Sequence, residues 1–398
     1  MRQPKLFEQR GEEDKVCLLK KGLYGLKQGQ RCWNQKLDDM LQRAGFNCSE
    51  QRADICVYVK TGPNNELTIL LVYVDDILVA SNCERSSSAI KEELMAAFDI
   101  RDLGELKLFL GIQVERTKDG GYFLHQRKHA QDILEYFGME NCNSVQTPME
   151  LRKSLKKRTP EEKQSDQDEY RTGIGALLYL CNTRPILSQA VGALSKFIND
   201  PSSEHEVAFK RVLRYLKGTI NEGVNYKGQG TIQLEGWADA DYAGDADDRR
   251  STTGFVVTIN GGPVSWVSKK QKTVALSSTE AEYVSMASLG QEVKWLRQLL
   301  QDMECKQESA TQFTSANPTI IYEDNQGAIA SASNPTSHQR MKHVDVKYHF
   351  IREQVENGEV AVKYCATRDM VADFLTKPLS AECIQRHKKT LGIGCRLD

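Results

Sequence analysis

Apolar residues in the first third of the chain follow two different spacings. Short apolar runs predict strands at residues 55–60 and 67–74, and mixed apolar and polar segments predict helices near residues 32–45 and 89–98. The sequence Pro-Asn-Asn-Glu joins the two strands, and a pair of aspartates follows the second strand and leads into Ile-Leu-Val-Ala. These turn signals predict an antiparallel sheet.

The middle of the chain differs from both flanks. Residues 151–170 carry dense mixed charge and almost no apolar side chains, which predicts a linker or an exposed loop. Residues 173–218 have a helical pattern. Near its end, four basic residues surround apolar ones: Lys210, Arg211, Arg214 and Lys217. They form either a solvated helix face or a surface that contacts phosphates.

The last part of the chain mixes strands and helices in an order typical of a compact α/β domain. Strand patterns occur at five places: residues 232–241, 254–260, 262–268, 319–323 and 359–365. Residues 279–303 carry apolar side chains every three or four positions, which predicts a long helix. Residues 306–318 read as a loop.

Composition adds limits on the class of protein. A chain of 398 residues with 40% hydrophobic residues is long enough for two or three domains. Its 11 cysteines show no zinc-site spacing, so we expect reduced thiols. The formal net charge of −1 excludes a uniformly basic nucleic-acid coat but allows local basic patches. No spanning segment or signal peptide is recognisable, so we expect a soluble, intracellular protein without a membrane partner.

The segment LTILLVYVDDILVASN raises the first question of chemistry. It places Asp75 and Asp76 in the middle of an otherwise apolar run. Buried carboxylates cost several kcal/mol unless they are paired, hydrogen-bonded or bound to a metal. The pair therefore needs a partner or a purpose, and a polar hairpin turn is the plainer alternative.

Four acidic residues of the last part stand at predicted strand ends and helix starts, where they can converge: Asp239, Glu282, Asp324 and Asp373. Asp241 shares the strand face of Asp239, because side chains alternate along a strand, and either aspartate can be the relevant one. Asp239 and Asp241 are also common turn residues. Four converging carboxylates suit two hard cations that promote phosphodiester hydrolysis.

Plainer roles exist for two of these residues. Glu282 can complete a capping box with Thr279, although Ser277 and Glu280 offer the same cap in another register and would free Glu282. Asp373 can be a favourable charge at the start of the last helix.

Several long motifs point to one family. The segments GWADADYAGDADDRRSTTGF, SWVSKKQKTVALSSTEAEY, IYEDNQGAIA and ADFLTKPL resemble the ribonuclease H domain of copia-type retrotransposon Pol polyproteins. LLKKGLYGLKQGQRCWNQ, LLVYVDDILVA and FLGIQV resemble the reverse transcriptase of the same family, and GALLYLCNTRP and FKRVLRYLKGT resemble its connecting region.

This resemblance implies a multi-domain fold of α+β and α/β type. It implies a truncated reverse transcriptase palm and thumb at residues 1–148, a linker and helical connection at 149–228, and a ribonuclease H-like mixed-sheet domain with a C-terminal tail at 229–398. It also implies that two Mg²⁺ ions, with Mn²⁺ as a substitute, are held by the four carboxylates Asp239, Glu282, Asp324 and Asp373.

In the polymerase part, the resemblance implies that Asp75 and Asp76 hold Mg²⁺ at a primer end. Tyr24 and Gln28 then contact the template and the incoming base. The family's third polymerase aspartate precedes a motif MxQPxGF, and this chain begins at MRQPKLF. We therefore expect a polymerase remnant that does not extend a primer alone.

The resemblance also suggests partners and locations. The partners are RNA/DNA hybrid, template-primer nucleic acid and other Pol products such as integrase. The hybrid would be bound through Lys269, Lys270 and the basic residues between 210 and 217. The cytoplasm, virus-like particles and the nucleus fit such a protein. Two alternatives to an active ribonuclease H stay open: a non-catalytic relic that binds nucleic acid, and a fragment of a complete RNA-directed DNA polymerase.

Overall fold

The computed structural model describes residues 1–23, 25–47, 52–151, 154–228, 232–303, 317–333 and 345–397. The chain forms two compact units. The first comprises Met1–Gly104 with Gln298–Glu308, and the second comprises Glu105–Arg297 with Ser309–Asp398. Across the described residues, no helix combines the length and the apolar composition that crossing a bilayer requires.

The first unit combines helices with a three-stranded antiparallel sheet in the order β1-β2-β3. Its elements are α1 (Lys27–Arg43), β1 (Val57–Thr61), β2 (Leu67–Tyr73), β3 (Asp76–Ser81) and α2 (Glu84–Ala97). The predicted strands, turn and antiparallel pairing are confirmed. Both helices begin about five residues earlier than their patterns predict, because polar residues fill their first turns.

The core of the first unit lies between its helices and its sheet. Leu37 and Leu41 of α1 pack with Tyr58, Leu70 and the other buried side chains of this cluster. Each fully buried side chain of this size contributes roughly 1.5 to 3 kcal/mol relative to an exposed one. The hydroxyl of Tyr58 donates a 2.7 Å hydrogen bond to Asp38 Oδ1, so its polar end is satisfied. This core holds the β2–β3 hairpin in place.

The second unit begins with a five-stranded antiparallel sheet that reaches the end of the chain. Its strands are β4 (Leu108–Phe109), β5 (Ile112–Arg116), β6 (Tyr122–His125), β7 (Gly223–Tyr226) and β13 (Ile393–Gly394), in the order β13-β7-β6-β5-β4. The helices of this part are α3 (Arg127–Tyr136), α4 (Gln167–Leu180), α5 (Ser188–Ser195) and α6 (Ser203–Gly218).

A mixed five-stranded sheet forms the rest of the second unit. Its strands are β8 (Leu234–Asp241), β9 (Thr252–Ile259), β10 (Gly262–Lys270), β11 (Thr319–Glu323) and β12 (Val360–Tyr364). The order is β10-β9-β8-β11-β12. β9 is antiparallel to both β8 and β10, whereas β11 runs parallel to both β8 and β12. The helices are α7 (Ser278–Met303), α8 (Gln326–Ser333), α9 (Asp345–Glu356) and α10 (Ala381–Thr390).

These sheets confirm the predicted α+β and α/β architecture with a mixed sheet in the C-terminal part. Two predictions need correction. The charged segment is a loop only up to Asp166, whose side chain accepts from the backbone of Asp168 and Glu169 and so begins α4 inside the predicted linker. Asp373 does not open the last helix, because it lies in a 3₁₀ turn, Val371–Leu375, and α10 begins later. The predicted loop at 306–318 falls almost entirely outside the described residues.

The second unit is held by one extended hydrophobic core. Buried side chains from the helical connection, such as Ile186 and Phe209, belong to the same cluster as Trp237 of β8 and Phe374 of the 3₁₀ turn. Residues 105–148 also belong to this unit. The functional boundaries at residues 148 and 228 stay a prediction, since compactness and function need not divide a chain at the same place.

Candidate active site

Three carboxylates meet at one end of the mixed sheet. Asp239 lies near the end of β8, Asp324 directly follows β11, and Glu282 lies in α7. Because β8 and β11 are parallel neighbours, their carboxyl ends lie side by side. One carboxylate oxygen from each residue lies within 4.8 Å of the others. Over the ranges that the structure describes, no other three acidic, His or Cys side chains converge in this way.

The fourth predicted carboxylate joins this group through a lysine. Asp373 is 7% exposed, and its Oδ1 lies 2.8 Å from the Nζ of Lys377. The same Nζ lies 3.8 Å from Oδ2 of Asp239. The structure thus brings all four predicted residues into one neighbourhood, which we call the carboxylate cluster: Asp239, Glu282, Asp324 and Asp373. It also adds Lys377, which the sequence did not single out.

Glu282 is available because another residue caps its helix. Ser277 Oγ accepts a 3.1 Å hydrogen bond from the backbone N–H of Glu280, and Glu280 Oε2 accepts from the backbone N–H of Leu276. The Ser277 register therefore provides the cap, and Thr279 is inside the helix. Glu282 Oε2 is buried and has no hydrogen-bond partner among the described residues. A buried oxygen of this kind is costly unless something else binds it.

Two threonines orient the outer members of the cluster. Thr367 Oγ1 donates a 2.7 Å hydrogen bond to Asp324 Oδ2. Thr376 Oγ1 donates a short hydrogen bond to Asp239 Oδ2. Each aspartate has a second oxygen that these hydroxyl groups leave open, so the hydroxyls fix the carboxylates without using up both oxygens.

Burial dominates the electrostatics of the cluster. Burial raises the pKa of Glu282 to about 11, and the neighbouring carboxylates add to the rise. Burial also raises the pKa of Asp239, which Lys377 and Thr376 partly oppose. For Asp373, burial and then the charge of Asp239 raise the pKa to about 7. Without a cation, the cluster thus resists full ionisation.

Sequence reasoning left out one acidic residue, Glu323, because alternation along β11 sets its side chain on the face opposite to that of Asp324. In the structure Glu323 is fully buried, and its Oε1 accepts from the backbone N–H of Asn325. Burial raises its pKa well above the usual range, and the charges of Asp324 and Asp239 add to the rise. Glu323 therefore lies beside the cluster as a buried carboxyl group whose ionised form is disfavoured.

Asp239 and Asp241 differ in burial and in position relative to the cluster. Asp239 is 2% exposed and belongs to the converging group. Asp241, two residues along β8, is partly exposed and is not in that group. Burial raises the pKa of Asp241 as well. The geometry supports Asp239 as the first carboxylate of the cluster.

The cluster fits a divalent cation. Carboxylate oxygens are the ligands that Mg²⁺ and Mn²⁺ prefer. Three carboxylates of the cluster already lie close together. The buried Oε2 of Glu282 has no hydrogen-bond partner among the described residues, so a cation could bind it. Asp239, Glu282 and Asp324 would hold such an ion, and Asp373 lies next to Asp239 across Lys377.

The first aspartate pair has a different environment. Asp75 lies in the turn between β2 and β3, Asp76 begins β3, and both are exposed. The preceding residues, Tyr73 and Val74, are also exposed. The expectation that this pair is buried is therefore wrong, and no desolvation penalty requires a partner for it.

The hairpin itself has a distinctive turn. Val74 has a φ of 53°, which is unusual for a β-branched residue and marks local strain. Its carbonyl accepts a 2.8 Å hydrogen bond from Trp33 Nε1, which fixes the turn against α1. No third acidic, His or Cys side chain joins Asp75 and Asp76 at metal-binding distance in the part of the chain that the structure describes. Gln28 is exposed in the first turn of α1, and Tyr24 lies outside the described residues.

The predicted nucleic-acid-binding side chains differ in how far other residues engage them. Lys210 pairs with Glu206 at 2.6 Å, and Arg214 Nε donates to the carbonyl of Asn143. Arg211 contacts Glu150 and Thr147, and Lys270 pairs with Asp245 and Asp248. The side chains of Lys217 and the exposed Lys269 form no ion pair or hydrogen bond within the described ranges. Their role in binding nucleic acid stays a prediction.

Comparison with known proteins identifies the family. Residues 1–151 match the model of the reverse transcriptase (RNA-dependent DNA polymerase) family. Over 99% of its length, the chain is 40% identical to the Pol polyprotein of transposon RE1 of Arabidopsis thaliana and 38% identical to that of transposon TNT 1-94 of Nicotiana tabacum. It spans 26% and 29% of those two proteins.

A shorter relative and one solved structure complete the comparison. A transposon Ty5-1 protein of Saccharomyces cerevisiae is 31% identical over 74% of this chain and 94% of its own length. A solved ribonuclease H1 isolated from compost aligns with 36% of this chain and 92% of its own at 14% identity, with a TM-score of 0.28, too low to establish a shared fold. The sequence relatives are decisive: the chain belongs to the family of copia-type retrotransposon Pol polyproteins.

Proposed function

We propose that the carboxylate cluster cuts the RNA strand of RNA/DNA hybrids by metal-assisted phosphodiester hydrolysis. One observation carries this proposal. Asp239, Glu282 and Asp324 converge to within 4.8 Å, and the buried Glu282 Oε2 has no hydrogen-bond partner among the described residues. Ionised carboxylates this close together, two of them buried, carry a large free-energy cost that protons or a bound cation can relieve.

The protein's contribution to this reaction is to place the ligands. Asp239 and Asp324 extend from neighbouring strand ends and are oriented by Thr376 and Thr367, while Glu282 is fixed by α7. When bound, divalent cations neutralise the scissile phosphate and lower the pKa of an attacking water. Asp324 is partly exposed, so this side of the cluster is open to a substrate.

The substrate proposal rests on the family and on local charge. The relatives are Pol polyproteins with a reverse transcriptase segment, and such a chain acts on nucleic acid. Lys217 and Lys269 supply positive charge that no acidic side chain of the described residues neutralises. Contacts of this kind release counterions, so binding of hybrid should weaken steeply with salt. The predicted intracellular location and the predicted contact with other Pol products stay predictions.

Asp75 and Asp76, the aspartate pair of the polymerase part, support binding of nucleic acid but not polymerisation. Asp75 and Asp76 are exposed, and no third carboxylate meets them in the described part of the chain. We infer that this chain by itself binds template-primer nucleic acid without extending a primer.

Cleavage of a labelled hybrid tests the ribonuclease proposal. We expect purified wild-type protein to cut the RNA strand with Mg²⁺ or Mn²⁺, and Asp324→Asn to cut at least about a hundredfold more slowly. A metal supplies several kcal/mol of transition-state stabilisation, and each 1.36 kcal/mol is tenfold in rate.

The matched control is Asp75→Asn, which removes the same charge from the exposed hairpin. It should cut hybrid like the wild type. If folded wild-type protein cuts no faster than Asp324→Asn with either metal, the chain is a non-catalytic relic.

A further inference from the structure

Lys377 holds the one ammonium group that contacts two carboxylates of the cluster in the described part of the chain. Its Nζ lies 2.8 Å from Asp373 Oδ1 and 3.8 Å from Asp239 Oδ2. This contact joins residues far apart in sequence, since Asp239 belongs to β8 and Lys377 follows the 3₁₀ turn. The ammonium group therefore lies between two of the four predicted metal ligands.

Backbone hydrogen bonds fix the position of the Lys377 main chain. The N–H of Lys377 donates a 3.1 Å hydrogen bond to the carbonyl of Asp373, and that of Thr376 donates to the same carbonyl. Pro378 follows, and a proline disfavours a helical conformation at the residue before it. The stem of Lys377 lines a small pocket with Ile186, Phe374 and other apolar side chains. The position of the stem is thus set by the fold.

The side chain of this lysine is partly accessible to solvent. Its side chain is 38% exposed, whereas the carboxyl groups it contacts are 3% and 9% exposed. A lysine stem has four rotatable bonds, so the ammonium group can leave toward solvent while the stem stays in its pocket. The contact is therefore one that a stronger cation can replace.

The cluster consists of two overlapping groups: Asp239 with Asp373, which contact Lys377, and Asp239 with Glu282 and Asp324. We call these groups its two halves. Asp239 and Asp373 share the ammonium group, whereas Glu282 Oε2 has no partner among the described residues. Asp239 belongs to both halves, because it also converges with Glu282 and Asp324. One half already has a cation of the protein's own, and the other half has none.

We propose that Lys377 is a built-in cation that holds the carboxylate cluster together in the metal-free protein and competes with a divalent ion for Asp239 and Asp373. This proposal rests on the proposed function, since it takes the cluster to be a metal site. Lys377 is a positioning residue in this role. Its ammonium group must move away before both halves of the cluster hold metal.

The test compares metal-free stability with metal affinity. Lys377→Met keeps the apolar stem and removes the charge. Its melting temperature in EDTA should fall below that of the wild type, because Asp239 and Asp373 lose their counter-charge. Its affinity for Mn²⁺, measured by calorimetric titration of the full chain, should rise roughly tenfold, equal to about 1.4 kcal/mol, a modest value for a charge at 4 Å because the group is partly exposed.

Three control variants separate charge from shape. Lys363→Met makes the same chemical change at an exposed lysine of β12 and should alter neither quantity. Lys377→Arg keeps the charge and should retain the wild-type stability in EDTA. Lys377→Gln removes the charge but keeps a polar side chain, and it replaces the methionine variant if that protein does not fold.

The proposal requires that Lys377→Met lower the melting temperature in EDTA and raise the affinity for Mn²⁺. A lysine that is merely structural would lower the melting temperature equally with and without metal and would leave Mn²⁺ affinity unchanged, and that result overturns the proposal. The proposed nuclease can fail separately: absent hybrid cleavage with tighter Mn²⁺ binding in Lys377→Met removes the nuclease and supports the role of Lys377. If Mn²⁺ binds neither protein, both proposals are wrong.

Discussion

The molecule carries two sets of carboxylates at the ends of strands, and the fold treats them in opposite ways. Asp75 and Asp76 stand on an exposed hairpin, while Asp239 and Glu282 are 2% and 7% exposed. The hairpin pair needs no partner, because water solvates its exposed carboxylates. The buried cluster cannot remain ionised without one, because desolvation and mutual repulsion both oppose its charge. Acidic residues therefore indicate a function only when they are buried, because water can no longer solvate their charge.

The two sites also differ in what surrounds the carboxylates. Around the hairpin, the main constraint is on the backbone, through the positive φ of Val74 and its hydrogen bond from Trp33. Around the cluster, one segment near the end of the chain supplies two hydroxyl hydrogen bonds and an ammonium group, from Thr367, Thr376 and Lys377. The hairpin presents two exposed carboxylates, whereas the cluster holds several carboxylates close together at one end of a sheet.

The largest expected difference is between the two activities of one protein preparation. We expect hybrid cleavage but no templated extension of a primer on a poly-rA template with Mg²⁺. Placing reacting groups in line can supply roughly 7 to 11 kcal/mol of a barrier, and a pair of exposed carboxylates without a third ligand provides little of it. Incorporation of labelled nucleotide measures extension.

The control for this experiment is Asp75→Asn. Templated extension by the wild type that disappears in this variant would show that a further acid completes the hairpin site. The contrast between an incomplete and a complete site would then be wrong.

Much of this fold follows from local sequence, and much of the site does not. Strong periodicity and a local cap predict α7 to within one residue, and the apolar run predicts β11 at its observed bounds. The hydrogen bond from Thr376 to Asp239 spans 137 positions, so no local pattern encodes it. The same holds for the contact between Lys377 and Asp239. Sequence motifs name the candidate carboxylates, but only tertiary packing decides which are buried and what neutralises them.

Two predictions are wrong because turns place the residues differently from what the hydrophobic pattern indicates. The apolar run around Asp75 suggested burial, yet Tyr73 and Val74 are exposed, because a hairpin turn leaves its tip outside the core. Asp373 was expected in the last helix, but Pro378 interrupts the segment, and Ser380 caps α10 by accepting from the backbone N–H of Cys383. Local hydrophobicity cannot distinguish the tip of a hairpin from the middle of a core strand.

The next effect is on stability without metal, at the buried Glu282. Glu282→Gln should raise the free energy of unfolding in EDTA at pH 8 by roughly 1 to 3 kcal/mol, in the usual range for point substitutions, because the neutral amide does not have to take up a proton when the chain folds. Burial raises the pKa of Glu282 to about 11. Because the folded value is above the unfolded one, its penalty grows as pH rises above about 4.3, the unfolded value, and flattens above 11.

Urea unfolding at pH 5 and pH 8 measures this effect. The wild type in EDTA should lose stability between the two values, and Glu282→Gln should lose less. Mg²⁺ should stabilise the wild type more than the variant, because the variant lacks one ligand. An equal response of both proteins to pH and to Mg²⁺ would contradict the view that Glu282 is an uncompensated buried acid.

The smallest expected effect is at the exposed hairpin, where the two aspartates contribute little to stability. Asp75→Asn and Asp76→Asn should each change the free energy of unfolding by no more than about 0.5 kcal/mol, the range for exposed substitutions that break no specific contact. Both side chains are exposed, and neither forms an ion pair or a hydrogen bond through its carboxylate in the described part of the chain. Urea unfolding in EDTA and in Mg²⁺ should give the same small change. A loss above 1 kcal/mol, or stabilisation by Mg²⁺ that depends on Asp75, would mean that the hairpin holds a cation of its own, and the two sites would then differ in exposure but not in chemistry.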